Sequence, residues 1–451
     1  MERFYLENAS KYHALVEGLD PLPKPRLTKG KPGPGMIVSA RIRPLSKNEG
    51  FPSATFPRTS EKNVLDIHDL YNHPRGIPVL RSSDYQVDRL FDSSSTTEEI
   101  YEELIVDLVH FAWTGGIGTL FAYGQTGSGK TFTVSRLEEL VAETLMKGDL
   151  GGEREIYMTI VDLAGNAAFD LLNEREPISL LEDSLGVTQL VGAVEHQVFD
   201  VKDMKAQVDR ATSFRRTAPT LKNPASSRSH AICRIRISDP VSHSDGFLYL
   251  IDLAGSEGAR DVAVHGPERM RETRQINISL SVLKDCIRGK AQADVAASET
   301  KGNRTQKFPH IPFRQSALTR VLKHVFDPAS SRACRTVVIA CINPSLADVG
   351  PSKNTLRFAE MLRVLVPVTD DIERDDTSAI HWTNAELRKW IEANSGNPPI
   401  LGSVLAPRES GAQLFNLSSA EIEYRCRKCP GVTLEQAKVF RSKLWQTYIS
   451  A

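Results

Sequence analysis

From residue 36 to about 367 the chain alternates short apolar runs with longer stretches whose apolar positions recur at i, i+3 and i+4. MIVSARI (36–42), GTLFAY (118–123), EIYMTIVDL (155–163), AICRIRI (231–237), GFLYLIDL (246–253) and TVVIACI (336–342) predict strands, several apolar on both faces. EEIYEELIVDLVHFAW (98–113), TFTVSRLEELVAETLMK (131–147) and INISLSVLKDCIRG (276–289) predict helices with one apolar stripe. The expected fold is α/β, a central and mostly parallel sheet with helices on both faces. Residues 1–35 end in PLPKPRLTKGKPGPG, where Pro and Gly recur too often for regular structure. That region is expected as an extended basic leader carrying Lys24, Arg26, Lys29 and Lys31. An acidic linker over 368–380, with the text VTDDIERDDTS, precedes four or five short helices over 381–451. No stretch holds successive heptads, so no coiled-coil stalk is expected.

Composition narrows the class. The 451 residues carry 56 basic and 56 acidic side chains, so the formal charge cancels and no general polycation for nucleic acid is expected. A cancelled sum can still conceal a local basic face. With a mean hydropathy of -0.28 and no apolar run near the roughly 18 residues of a spanning helix, no membrane insertion is expected. Nor does the N-terminal text read as a secretory leader. Six cysteines are too few for a disulfide scaffold, which favours a reduced, intracellular setting. Cys426 and Cys429 form a CxxC without a second ligand pair, so no metal role is assigned to them.

The sharpest chemistry is GQTGSGKT, from Gly124 through Gln125, Thr126, Gly127, Ser128, Gly129 and Lys130 to Thr131, a match to G-x-x-x-x-G-K-[ST] between a strand and a helix. Glycines let backbone N–H groups close around phosphates, and the helix N-terminus adds a favourable dipole. Lys130 would reach the β- and γ-phosphates and the Thr131 hydroxyl would ligate Mg²⁺. A hydrolytic site also needs a carboxylate at the end of a second strand, and two segments offer one: IVDLAGN with Asp162 and LIDLAGSEG with Asp252. Glu257 follows the second and favours it. The loop NPASSRSH (223–230) adds Ser227, a hydroxyl for Mg²⁺ or water, and Arg228, a partner for Glu257. No [NT]KxD guanine-reading motif is present, which favours ATP over GTP.

FAYGQTGSGKT, NPASSRSH and LIDLAGSEGA, in this order and spacing, resemble the P-loop, switch I and switch II of the kinesin motor domain. The resemblance extends through ARIRPL, HIPFRQSALTRVL, VVIACINPS and NTLRFAEML, so residues 36–367 read as a motor domain. It implies that Arg41, Pro44 and Tyr101 pack against adenine. It implies also that Ser227 completes Mg²⁺ and γ-phosphate binding, with Asp252 in the outer shell of the metal. Gly255 would sense the γ-phosphate, Arg228 and Glu257 would close the site as an ion pair, and Asp162 would be structural.

The resemblance further implies a microtubule-stimulated ATPase that uses ATP and Mg²⁺, with tubulin as partner and the microtubule cytoskeleton of the cytoplasm, spindle included, as its place. Lys284, Arg288, Arg314 and Arg320 would face the track. Ile278 and Ala317 stand where kinesins usually have Lys, so two expected cations are missing. The phrase ISLLEDSLGVTQLVGAVEHQV (178–198) looks most like kinesin-13, which implies end depolymerisation; a translocating motor and a non-hydrolysing scaffold are the alternatives. Residues 381–451 resemble a SAM domain with a core of Trp382, Trp390, Ile391, Leu414, Leu417, Ile422, Val439 and Leu444, implying self-association or a protein partner.

Overall fold

A computed structural model describes the chain apart from residues 1, 20–30, 33–34, 47–48, 75, 183–187, 218–227, 241–244, 257–266, 300–309, 327–332, 364, 367–381, 383, 408, 410, 416, 418 and 450–451. It divides into two units, Met1–Pro367 and Val368–Ala451.

The first unit is built on an 11-stranded sheet. Its strands are β1 (Met36–Ile42), β2 (Arg89–Phe91), β3 (Ile117–Tyr123), β4 (Glu155–Ala164), β5 (Ala167–Asp170), β6 (Glu176–Glu182), β7 (Thr188–Val191), β8 (His196–Val198), β9 (His230–Ser238), β10 (Asp245–Asp252) and β11 (Cys334–Ile342). The spatial order is β7-β6-β5-β4-β9-β10-β3-β11-β1-β2, with β8 paired to β4. The expectation of a mostly parallel sheet needs correcting. From β10 through β3, β11 and β1 to β2 the pairs are parallel, but β4 to β10 and the β5–β7 extension are antiparallel. The cause is local. Residues 239–244 alone join β9 to β10, and Gly165 at φ 62° turns β4 into β5. Neither connection holds the dozen or so residues of a parallel crossover.

Every residue of β3 is buried, as a strand covered on both faces requires. One face is closed by helices α3 (Val106–Trp113), α4 (Lys130–Met146) and α5 (Val201–Thr217), with Val134, Leu137, Val141 and Leu145 forming the inward stripe of α4. The other is closed by α6 (Pro267–Glu299) and α7 (Val349–Leu362), through Leu280, Leu283, Ile287, Leu356 and Ala359. The expected helix over 98–113 starts at a capping box, with Glu99 N–H donating to Thr96 Oγ1 at 3.1 Å and Thr96 N–H to Glu99 Oε2 at 3.0 Å. It passes through a π-turn at Tyr101–Ile105.

The leader is not extended throughout. Residues 2–17 form two helices, α1 (Glu2–Glu7) and α2 (Ala9–Glu17), which bury Tyr5 and Tyr12. The Tyr12 hydroxyl lies 3.0 Å from the carbonyl oxygens of both Ser53 and His68, and Tyr5 donates to Asp69 at 3.3 Å. Further on, Lys31–Pro32 pairs antiparallel with Leu365–Val366. Lys24, Arg26 and Lys29 lie outside the described residues.

The second unit holds helices Asn384–Asn394, Gly402–Leu405, Gly411–Phe415, Ser419–Arg427 and Leu434–Ile449 around Leu387, Ile391, Leu405, Leu414, Ile422, Phe440 and Leu444. Trp382, Trp390 and Leu417 pack on its edge. Val439, expected in this core, is 66% exposed, because the last helix turns Ala437, Phe440 and Leu444 inward. Cys426 and Cys429 are buried free thiols. Among the described residues no helix is long and apolar enough to cross a membrane.

Candidate functional site

The phosphate loop runs from the end of β3 to the first turn of α4. Gly124 sits against β11, where an added Cβ would lie 2.4 Å from the Cys341 carbonyl oxygen, so a side chain has no room. Gly127 and Gly129 hold φ of 77° and 95°, a region that favours glycine. The Gln125 carbonyl, turned inward, accepts from Ser128 Oγ at 2.7 Å and Lys130 Nζ at 2.9 Å. Lys130 is thus buried at the loop's centre while Thr126 and Gly127 form its exposed outer turn.

Strand order brings the second carboxylate to this loop. Because β10 lies beside β3, Asp252 pairs in register with Ala122, and Thr131 Oγ1 donates to Asp252 Oδ2 at 2.8 Å. Asp252 Oδ1 is buried without a hydrogen-bond partner. A buried carboxylate oxygen with spare acceptor capacity beside a threonine hydroxyl suits a hydrated Mg²⁺, so the residues fit the ion the motif implies. Ser256 N–H donates to the Gly124 carbonyl at 3.2 Å, which sets buried Gly255 against the loop.

Asp162 is two strands further away, beyond β9. Ala231 of β9 pairs with Asp162 on one side and Asp252 on the other, so the three residues form one row across the sheet. Arg215, at the end of α5, donates from Nη1 to Asp252 Oδ2 at 2.7 Å and from Nη2 to the Ser229 carbonyl at 2.6 Å. Its Nε lies 3.8 Å from Asp162 Oδ1. A cavity of about 80 Å³ adjoins this cluster, lined by Thr131, Glu138, Ile160, Leu171, Arg215 and Asp252 among others. Burial first, and the charge of Asp252 second, push the Glu138 carboxyl up to about 8.

On the nucleoside side, Arg41 is buried, donates to Thr133 Oγ1 at 2.7 Å and lies 5.5 Å from the Phe132 ring. Pro44 is exposed nearby, and Arg43 Nε donates to the Gly127 carbonyl at 2.7 Å. Tyr101 does not match its expected role. It is 4% exposed, packed among Ile100, Leu104 and Ile105 with its hydroxyl bonded to Thr144, and presents no open face. Phe132, 70% exposed, is the free ring at this edge. Its position directly after Thr131 was the available signal.

Ser227 and Glu257 lie outside the described residues, and with them the expected Arg228–Glu257 pair. Arg228 Nη1 lies 3.1 Å from Glu272 Oε2 of α6. The residue that sequence reasoning missed in this loop is His230. Ala254 N–H donates to its Nδ1 at 3.1 Å, so the proton sits on Nε2, 2.8 Å from Ser279 Oγ of α6. Burial, then the charges of Arg215 and Lys130, lower its pKa to about 3 and keep the ring neutral.

The expected basic face is partly consumed internally. Arg314 donates to Glu182 at 2.9 and 2.8 Å, and Arg314 first among several causes holds that carboxyl down at about 2. Arg320 donates to the Leu180 carbonyl while its own carbonyl accepts from Thr188, bolting the β6–β7 hairpin in place. Lys284 is half-buried and Arg288 exposed. Ile278 is 49% exposed, whereas Ala317 is 2% exposed with its N–H 3.4 Å from Asn166 Oδ1. The missing cation at 317 is therefore not an exposed position left bare, because the site belongs to the core.

A family model described as the kinesin motor domain matches residues 41–365. "Diatom spindle kinesin-1" of Cylindrotheca fusiformis is 34% identical over 333 residues, 73% of this chain and 50% of that protein. "Kinesin-like protein KIN-13B" of Arabidopsis thaliana is 31% identical over 339 residues, 73% of this chain and 47% of that protein. The chain spans about half the length of these curated relatives.

Proposed function

The chain belongs to the kinesin motor-domain family, and from that membership we propose that it hydrolyses ATP with Mg²⁺ and couples the reaction to microtubule binding. The carrying observation is the 2.8 Å contact from Thr131 of the phosphate loop to Asp252, which leaves the second carboxylate oxygen open. In this reading Lys130 and the loop N–H groups hold the β- and γ-phosphates, and Arg41, Pro44 and Phe132 border the base. Asp252 orients the outer shell of the metal, which supplies charge neutralisation when bound. Ser227, Arg228, Gly255 and Glu257 complete the closed site around the attacking water. Catalysis of this kind is positioning plus electrostatic stabilisation. In this reading Arg288 and the exposed face of α6 meet the acidic track, with Arg314 available only where it leaves Glu182, and the protein acts on microtubules of the cytoplasm, the spindle included.

Turnover measured with and without stabilised microtubules tests this. Lys130→Ala is expected to lower turnover on the order of 100-fold, as loss of a preorganised charge at a reacting phosphate does. Turnover indifferent both to microtubules and to that substitution would refute the reading.

A finer reading, end depolymerisation, draws support from the text of 178–198 and from the name of the Arabidopsis relative. Shortening of stabilised microtubules without gliding is its expected signature, and gliding would favour a translocating motor. The helices after residue 381 act as a SAM-like module for self-association or a protein partner. Concentration-dependent oligomerisation of the full chain, lost on truncation at 381, is the expected result.

A further inference from the structure

Helices α1 and α2 lie outside residues 41–365, the part that matches the motor-domain family, yet they are built into the nucleotide end of the first unit. A separate three-stranded sheet, Thr55–Pro57, Val64–Asn72 and Pro78–Gln86, carries them, with α2 packed on the last of these strands. Tyr12 is buried with its hydroxyl between the Ser53 and His68 carbonyls. Asp69 accepts from Tyr5 through one carboxylate oxygen and from Lys353 of α7, at 2.9 Å, through the other. Both tyrosines share a core cluster with Ala54, Leu70, Leu346 and Val349.

The residues around Ser53 are bonded in turn to the segment that follows β11. Ala54 N–H donates to the Pro344 carbonyl at 2.7 Å, and Leu346 N–H donates to the Pro52 carbonyl at 2.9 Å. The short helical turn Leu346–Asp348 ends this segment, and α1 packs directly on it. Asp348 accepts from Asn343 Nδ2 at 2.6 Å. Burial raises the pKa of its carboxyl, a hydrogen bond with the Gln125 side chain opposes the rise, and Glu2 of α1 is among the charges that act on it. Gln125 is the phosphate-loop residue whose carbonyl holds Ser128 and Lys130. Direct contacts thus run from α1 to Asp348, from Asp348 to Gln125, and from Gln125 to Lys130.

Helices of six and nine residues do not stand alone in water, where about 12–15 residues are needed for even marginal stability. α1 and α2 therefore exist because they are docked, and undocking unfolds them, which makes the pair a two-state element. We propose that α1 and α2 form a clip that holds the phosphate loop from outside, so that nucleotide leaves slowly while the helices are docked and faster once they come away. Asp348 serves this link as a positioning residue, acting through Gln125. The proposal rests on the nucleotide-hydrolysing reading above.

The test follows release of a fluorescent ADP analogue, chased with excess unlabelled ATP. It compares the full chain, a variant lacking residues 2–18, Y12F, D348A, and the truncated chain carrying D348A. Removing residues 2–18 is expected to speed release about fivefold, the lower end of the coupling found between linked sites. Y12F should give a smaller rise, because it loses the hydroxyl but keeps the ring. D348A should approach the truncation, and the two changes together should add little to either alone, since both break one path. Release unchanged by truncation, even with a lowered melting temperature, would make the helices a stabilising appendage and overturn the proposal. Fully additive effects of truncation and D348A would overturn it too. Should the truncated chain melt below the assay temperature, Y12F decides alone, and its unchanged release overturns the proposal. A wild-type chain that binds no nucleotide would instead overturn the functional reading, and this one with it.

Discussion

Stability should depend on pH through His230, and the dependence can be isolated by His230→Asn. The folded ring is buried and neutral with a pKa near 3, against about 6.5 in an unfolded chain. The folded value is the lower one. Below pH 6.5 the unfolded chain therefore takes up a proton that the native state refuses, and stability falls by ~1.4 kcal/mol per pH unit until the folded pKa is approached. Between pH 6.5 and 5.0 this residue alone costs about 2 kcal/mol. Asparagine places Oδ1 where Nδ1 accepts from Ala254 N–H and has nothing to titrate. Its own cost at pH 7.5 is the lost contact to Ser279, about 1 kcal/mol, plus roughly 1–2 kcal/mol for the missing ring atoms. The variant should thus be less stable by roughly 2–3 kcal/mol at pH 7.5, with the gap closing by about 2 kcal/mol at pH 5.0. Urea unfolding of both proteins at pH 7.5, 6.5 and 5.0, followed by circular dichroism, gives the difference directly, since every other titrating group is common to both. A gap unchanged between pH 7.5 and 5.0 would refute the account, because the native imidazole would then be titrating as freely as the unfolded one.

Two further substitutions separate exposed from buried positions of the expected track face. Ile278→Lys places a charge on a site already 49% exposed, and should tighten microtubule co-sedimentation roughly 2- to 5-fold at low salt, with the gain disappearing as salt is raised. Ala317→Lys enters a site 2% exposed, and should instead destabilise the fold by roughly 1–3 kcal/mol through overpacking and a buried charge, read as a lowered urea midpoint without tighter co-sedimentation.

Much of the first unit was legible in the text, for physical reasons that differ by element. β3 was readable because a strand buried on both faces must be apolar at every position, and the phosphate loop because its glycines, lysine and threonine answer to local backbone needs. The strand pattern by itself did not separate the two DLAG segments, since each puts a carboxylate at a strand end; Glu257 and the family resemblance favoured the second, and the neighbour relation of β10 to β3 is what sends Asp252 to Thr131. The N-terminal helices escaped notice because what holds them is distant in sequence: Tyr12 bonds to Ser53 and His68, and Tyr5 to Asp69. Tyr101 and Ala317 failed for a related reason. A match to a family pattern says which residue type stands at a position, not whether the surrounding side chains leave it open, and here both are in the core.

His230 also explains how the nucleotide end can be joined to the long helix without a charged link. The end of β10 is tied on one side to the phosphate loop, by Asp252 to Thr131 and by Ser256 to Gly124, and on the other to His230 through the Ala254 N–H. A neutral imidazole accepts at one nitrogen and donates at the other in a rigid ring, so one side chain bonds both the strand end and Ser279. Ser279 in turn donates to the Ile276 carbonyl, within the helical turn that carries Ile278 on its exposed face. A charged joint would need a counter-ion in a site that Arg215 and Lys130 already make positive. Burial that keeps the imidazole unprotonated is thus what allows one side chain to serve both neighbours, and the acid sensitivity of the fold follows from the same arrangement.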